Sequence, residues 1–257
     1  MVRRKTYSHV LQTRKPKPIF RARLVRRKDM TSRHISTAFD NDLEELDRLT
    51  TRMGNQALSQ FVAVIDGMAQ IDVDLNGLIA NDSKIDALET EIYNKTVEII
   101  AIRSPQANDL RHIIIAPKIA SFLERIGDYS KNIIKRRNMM IGEENNLTIL
   151  KKLDGMSQMA QDLLVDVLDA LARRDAMKAK LVWEADVELD ALHSLVYKSI
   201  YRDMVEHGSS PSGINALFIA KNIERIGDFC TSIAEQVYFV VHGEMLDAQR
   251  PKDDITT

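Results

Sequence analysis

Long apolar runs are missing from this chain of 257 residues; no stretch approaches the roughly 18 apolar residues that a membrane-crossing helix requires. No apolar segment near the start could serve as the hydrophobic part of a secretory signal. A single cysteine, Cys230, excludes an internal disulfide, and a reducing, cytoplasmic location is expected. Glycine (10), proline (6) and aromatic residues (5%) are scarce, which disfavours a sheet protein with many turns. The six histidines, His9, His34, His112, His193, His207 and His242, form no His-x-x-x-His or Cys-His cluster, so no histidine metal site is assigned. No glycine-rich phosphate loop and no Ser-His-Asp order occurs, so no catalytic or nucleotide-cofactor residue is assigned either.

Apolar residues of the Leu, Ile and Ala type, interleaved with charged ones, make up what remains, and they point to an all-α fold with a substantial core. The net charge of -1 hides an uneven distribution. Residues 1–29 carry eleven Lys and Arg against Asp29 alone, a charge of +10, which leaves -11 on the rest. A segment this basic, with few apolar residues, cannot offset its ordering entropy; residues 1–29 are expected to be a disordered basic extension. Such an arm suits phosphate polymers or anionic membranes, but the plainer reading is an unstructured extension, and no nucleic-acid partner is expected.

Beyond Met30 the pattern becomes that of long amphipathic helices. Apolar residues recur at three- and four-residue steps through Phe39, Leu43, Leu46 and Leu49, and again through Ile85, Leu88, Ile92 and Ile99. Ser104-Pro105 breaks the run, and a third helix carries Leu110, Ile113, Ile119, Leu123, Ile126 and Ile133 before Gly142 and a polar Glu-Glu-Asn-Asn stretch close it. Three further helices are predicted around Leu147–Leu171, Asp175–Glu206 and from Ser209-Ser210-Pro211 to His242, with Ser and Pro as start signals. The expected organisation is a bundle over 30–142, a second over 143–245 and a disordered tail over 246–257.

The halves repeat each other. Ile119-Ala-Ser-Phe-Leu-Glu-Arg-Ile-Gly-Asp128 returns one hundred residues later as Ile219-Ala-Lys-Asn-Ile-Glu-Arg-Ile-Gly-Asp228. Upstream, Asp82, Ile85, Asp86, Ala87, Leu88 and Tyr93 correspond to Asp186, Leu189, Asp190, Ala191, Leu192 and Tyr197. Two tandem three-helix bundles related by internal duplication account for this better than a short solenoid repeat.

At 100° per residue, Glu124 and Asp128 fall nearly opposite the stripe of Ile119, Leu123, Ile126 and Ile133 and are expected to face outward. Two like charges four residues apart cost a helix a few tenths of a kcal/mol, which a cation would relieve. Paired carboxylates supply the oxygen ligands that Mg, Mn, Fe or Zn accept. The candidate metal ligands are therefore Asp82, Asp86, Glu124 and Asp128 in the first half, and Asp186, Asp190, Glu224 and Asp228 in the second. Singly, any such pair reads as an ordinary solvated surface; four at equivalent places favour divalent or trivalent metal ions, of unspecified identity. A mid-helix glycine costs about 1 kcal/mol relative to alanine, so Gly127 and Gly227 imply close approach of a helix or an ion cluster to the backbone. Arg125 and Arg225 are expected to pair with neighbouring acids, Trp183 to anchor packing, and Cys230 to be an inert core thiol.

The segments Leu123-Glu-Arg-Ile-Gly-Asp128 and Ile223-Glu-Arg-Ile-Gly-Asp228, the Asp-x-x-x-Asp pairs before them, and Ser104-Pro105-Gln-Ala-Asn-Asp-Leu-Arg111 together resemble the PhoU family, from Met30 to about Val241. The resemblance implies two antiparallel three-helix bundles, multinuclear metal at the Glu/Asp-x-x-x-Asp motifs and no catalysis. It also implies a negative regulator of phosphate uptake and of the phosphate-starvation response. Such a protein restrains the phosphate ABC transporter ATPase and a phosphate sensor histidine kinase, and meets the membrane only through those partners. A homodimer is expected. The alternative from another class is a carboxylate-bridged, metal-dependent enzyme on a helical bundle. The second motif continues to Glu235 where the first has Lys135, so the two metal sites should differ, with the first weaker. Pro117 should kink the third helix one turn before the motif.

Overall fold

The computed structural model describes residues 36–68, 75–142 and 146–246. The basic extension 1–29 and the tail beyond 246 lie outside the described residues. The described residues form seven α-helices in order: α1 (Ser36–Met68), α2 (Leu75–Arg103), α3 (Ala107–Asn138), α4 (Asn146–Leu150), α5 (Asp154–Arg173), α6 (Ala176–His207) and α7 (Pro211–His242). No strand occurs among the described residues. The expected single helix over Leu147–Leu171 is instead opened by α4 and a 3-10 turn at Lys151–Leu153, and α5 begins at Asp154.

Local chemistry fixes the helix ends. Ser210 accepts a hydrogen bond from the Gly213 amide at 3.0 Å with Pro211 in the first turn, as the Ser-Pro signal requires. Asp175 caps α6 in the same way through the Lys178 amide at 3.0 Å. Gly243, with φ 80°, closes α7 in the left-handed region that glycine enters without strain. The α3 helix runs on through Pro117 despite the missing N–H donor.

α1, α2 and α3 form one antiparallel bundle, and α5, α6 and α7 the other. Leu46, Met53, Phe61, Ile85, Ile92, Ile119, Leu123 and Ile126 are fully or almost fully buried in the first. Leu164, Val167, Leu189, Ile219, Ile223, Ile226 and Ile233 fill the second. The bundles join chiefly through the two motif helices, and secondarily through α1 against α5. α3 and α7 run antiparallel: Arg136 stacks 4.0 Å above the Phe218 ring at one end, Arg111 lies against Gly243 at the other, and Phe229 sits between Phe122 and Tyr129, 5.9 Å from each. The duplication thus places its two identical pentapeptides on the central pair of helices.

Candidate functional site

Each motif glycine marks a point where the second helix of its bundle presses close. A methyl group at Gly127 would meet Ile85 Cδ1 at 3.0 Å, and the Gly127 carbonyl accepts a hydrogen bond from Gln60 Nε2 at 3.0 Å. A methyl group at Gly227 would collide with Leu189 and reach Asp186 Oδ1 at 3.1 Å. The approach that demands glycine is therefore that of α2 in one copy and α6 in the other, and in the second copy this approach carries a candidate ligand with it.

That geometry corrects the outward placement expected of the motif acids. Glu224 is 6% exposed and Asp186 only 1%. Glu124 and Asp128 are half-buried along the α2–α3 seam, with side chains 20% and 35% exposed. A single-helix projection locates the apolar stripe but ignores the partner helix, which here covers the flank of the motif as well as its core face. Asp82 and Asp86 lie on α2 beside the first motif, and Asp186 and Asp190 on α6 beside the second. All eight predicted residues therefore border two equivalent inter-helix seams. Among the described residues, no three His, Cys, Asp or Glu side chains converge as they stand on a metal-binding geometry.

The two seams are neutralised differently. In the first, Lys131 Nζ bridges Asp82 and Asp128, the latter at 2.8 Å. Burial raises the Asp128 carboxyl, but the ammonium of Lys131 outweighs it and holds Asp128 below the usual carboxylate range. Glu124 is pushed up to about 7, first by burial and then by Asp128. Asp86 is raised by burial and by Asp82. In the second seam, position 231 is a buried threonine whose hydroxyl donates to the Gly227 carbonyl at 2.8 Å. Lys221 reaches only Glu224 Oε1, at 2.8 Å, and Glu224 Oε2 is buried with no hydrogen-bond partner among the described residues. Burial and then Glu224 push Asp228 up to about 6.

Both seams lie within a recognisable unit. The sequence matches the PhoU domain twice, over residues 50–136 and 153–237, one match per bundle. The chain belongs to the PhoU family. A Caulobacter vibrioides phosphate-specific transport system accessory protein PhoU homolog is 38% identical over 227 residues, which cover 86% of this chain and 97% of that one. The Rhizobium meliloti homolog of the same name is 36% identical over 89% of this chain and 97% of its own. The Pseudomonas aeruginosa PhoU crystal structure superposes with a TM-score of 0.76 at 27% identity, covering 80% of this chain and all (100%) of that one. The phosphate transport system regulatory protein PhoU from Streptococcus pneumoniae gives 0.75 at 28% identity, over 81% and 99%.

The metal that the PhoU family implies fits the two seams unequally. A buried carboxylate oxygen without a partner, beside a second carboxyl driven upward by its charge, marks an acid cluster whose partly exposed cations, here Lys221 and Arg225, leave its inner side uncompensated. Glu224 and Asp228 meet that test, with Asp186 and Asp190 across the seam. Asp82 and Asp128 do not, because Lys131 already sits between them. The residue that sets the two seams apart in their ion pairs is Lys131, on the seam, rather than the exposed Lys135. Glu235 accepts from Trp183 Nε1 at 3.3 Å, which gives that partly buried indole a polar partner as well as a packing role. Arg125 and Arg225 pair with Asp128 and Asp228 at 3.9 and 3.5 Å, as expected. Cys230 is fully buried, and burial pushes its thiol far up, so it is inert.

One cluster in this PhoU chain escaped sequence reasoning. His112 is buried and hydrogen-bonds Asp47 at 2.6 Å, while Arg174 reaches Asp47 at 3.0 Å and the His112 ring at 3.2 Å. Arg174 ends α5 in the left-handed region at φ 54°, and so ties the second bundle to α1 and α3 of the first. Nothing local in the sequence signals a contact between residues 127 apart.

Proposed function

We propose that this chain is a cytoplasmic negative regulator of phosphate uptake and of the phosphate-starvation response. It acts by holding the phosphate ABC transporter ATPase and the phosphate sensor histidine kinase, as a homodimer and without chemistry of its own. The observation that carries the reading is the match to named phosphate-transport accessory proteins over nearly their whole length and across both bundles. Exposed apolar side chains on equivalent outer helices support it: Tyr93, Val97 and Ile100 on α2, and Tyr197, Tyr201 and Val205 on α6. Such faces suit helix-on-protein contacts better than turnover of a substrate. In the same reading, Asp186 and Asp190 of α6 and Glu224 and Asp228 of α7 would hold a Mg, Mn, Fe or Zn ion. Metal there would supply a counterion for buried carboxylates, and the protein's own part is to keep those four carboxylates on two rigid helices.

The test is a gene deletion read with a starvation-promoter reporter at high and low phosphate. The reporter should stay on in phosphate-rich medium, with toxicity from excess phosphate, and the full chain should restore repression. Unchanged repression in the deletion would sink the regulatory reading, and weak reporter activity at low phosphate would point to an activator instead.

A further inference from the structure

We propose that Lys131 is the resident cation of the first carboxylate cluster, so that a divalent ion is taken up by the second cluster alone; this rests on the metal reading of the second cluster given above. Lys131 stands on α3, one turn beyond the motif, and its ammonium contacts Asp82 of α2 as well as Asp128 of α3. It thus makes the helix-to-helix bridge that a shared cation would otherwise make. All three groups are partly sheltered, with side chains 15% exposed for Asp82, 21% for Lys131 and 35% for Asp128. A divalent ion entering there must first expel the ammonium and then leave it stranded beside like charge.

The second cluster has no such group in the corresponding place. Thr231, one hundred residues on, turns its hydroxyl to the Gly227 carbonyl on its own helix. The ammonium of Lys221, with 40% of its side chain exposed, contacts the outer oxygen of Glu224. The inner oxygen, Oε2, is buried and without a partner among the described residues. The two pentapeptides are identical, yet one faces a built-in cation and the other a place for an exchangeable one.

The probe is Mn2+ alone, in equilibrium dialysis against the full chain at neutral pH. Five proteins are compared: the parent, Lys131→Thr, the pair Asp82→Asn with Asp128→Asn, those three changes together, and the pair Glu224→Ala with Asp228→Ala. Mn2+ per chain should be unchanged by the Asp82/Asp128 pair and fall at least tenfold in the Glu224/Asp228 pair. Lys131→Thr should add a second saturable site, which disappears when Asp82 and Asp128 are also changed. A drop in Mn2+ content on changing Asp82 and Asp128 in the otherwise parental chain overturns the proposal, as does a folded Lys131→Thr chain that gains nothing. Should Lys131→Thr not fold, the Asp82/Asp128 comparison decides alone. Mn2+ content untouched by the Glu224/Asp228 pair removes the second-cluster reading instead, a failure that is read separately from the gain on Lys131→Thr.

Discussion

At the scale of single residues, the seam of the first bundle makes a pH-dependent stability that can be isolated. Glu124 has an ordinary value of 4.5 and is pushed up to about 7 in the folded chain, by burial first and by Asp128 second. Between those values the folded state holds a proton that the unfolded chain has released, so stability falls as pH rises from about 4.5 to about 7. Above that window Glu124 is a charged group in an unfavourable place. Glu124→Gln should therefore stabilise the protein by about 1–2 kcal/mol at pH 8 and give no gain at pH 4, since each tenfold difference in proton affinity is worth about 1.4 kcal/mol before solvent screening reduces it. Urea unfolding in excess chelator at the two pH values measures this. An equal gain at both would mean that shape, rather than charge, distinguishes the variant.

At the scale of elements, the two motif glycines look identical in sequence and are unequal in their surroundings. Alanine in place of either returns about 1 kcal/mol of helix propensity. At Gly127 the added methyl meets only the far end of Ile85, which can shift by a few tenths of an ångström, so Gly127→Ala should be close to neutral. At Gly227 it meets both the buried Leu189 and the carboxylate of Asp186, and these two packed side chains must give way. Gly227→Ala should cost about 1–3 kcal/mol net, as overpacked cores do, and should also weaken Mn2+ retention because Asp186 is displaced. Urea midpoints for the two variants check the order, and a more harmful change at Gly127 would contradict it. The long helices were legible because they carry a 3.6-residue period, with Ser-Pro or Gly marking some of their ends, and the repeat was legible because five consecutive residues recur. The 3-10 turn at Lys151–Leu153 was not, since no breaker residue marks it. Nor were the burial of Glu224 and Asp186, the Lys131 bridge or the His112–Asp47–Arg174 cluster. Periodicity reports which face of one helix is apolar, but those features depend on which other helix lies alongside and how closely.

At the scale of the whole molecule, the duplication has not left two independent bodies. α7 keeps Ala216, Ile219, Ala220, Ile223, Ile226, Ile233, Ala234 and Val237 all buried, and it packs against α5, α6 and α3 at once. Removing the first bundle would uncover Phe229, which packs against Phe122 and Tyr129, and Phe218, which lies beneath Arg136. On the other side, Gly54 of α1 is the hollow that receives Leu168 of α5: a methyl group there would lie 2.5 Å from Leu168 Cδ2. With Arg174 reaching across to Asp47 and the buried His112, the interface combines packed aromatics, an interlocked helix crossing and a polar cluster that is partly exposed. Interfaces of that composition couple the folding of the parts they join. The full chain should therefore unfold in one calorimetric transition whose van't Hoff and calorimetric enthalpies agree. A fragment spanning residues 143–246 should melt lower than the parent and self-associate through the uncovered face of α7. Light scattering alongside calorimetry distinguishes the outcomes. Two resolved transitions in the parent, with a monomeric fragment that melts at one of them, would show that the bundles fold separately and that the α3–α7 contact adds little to either.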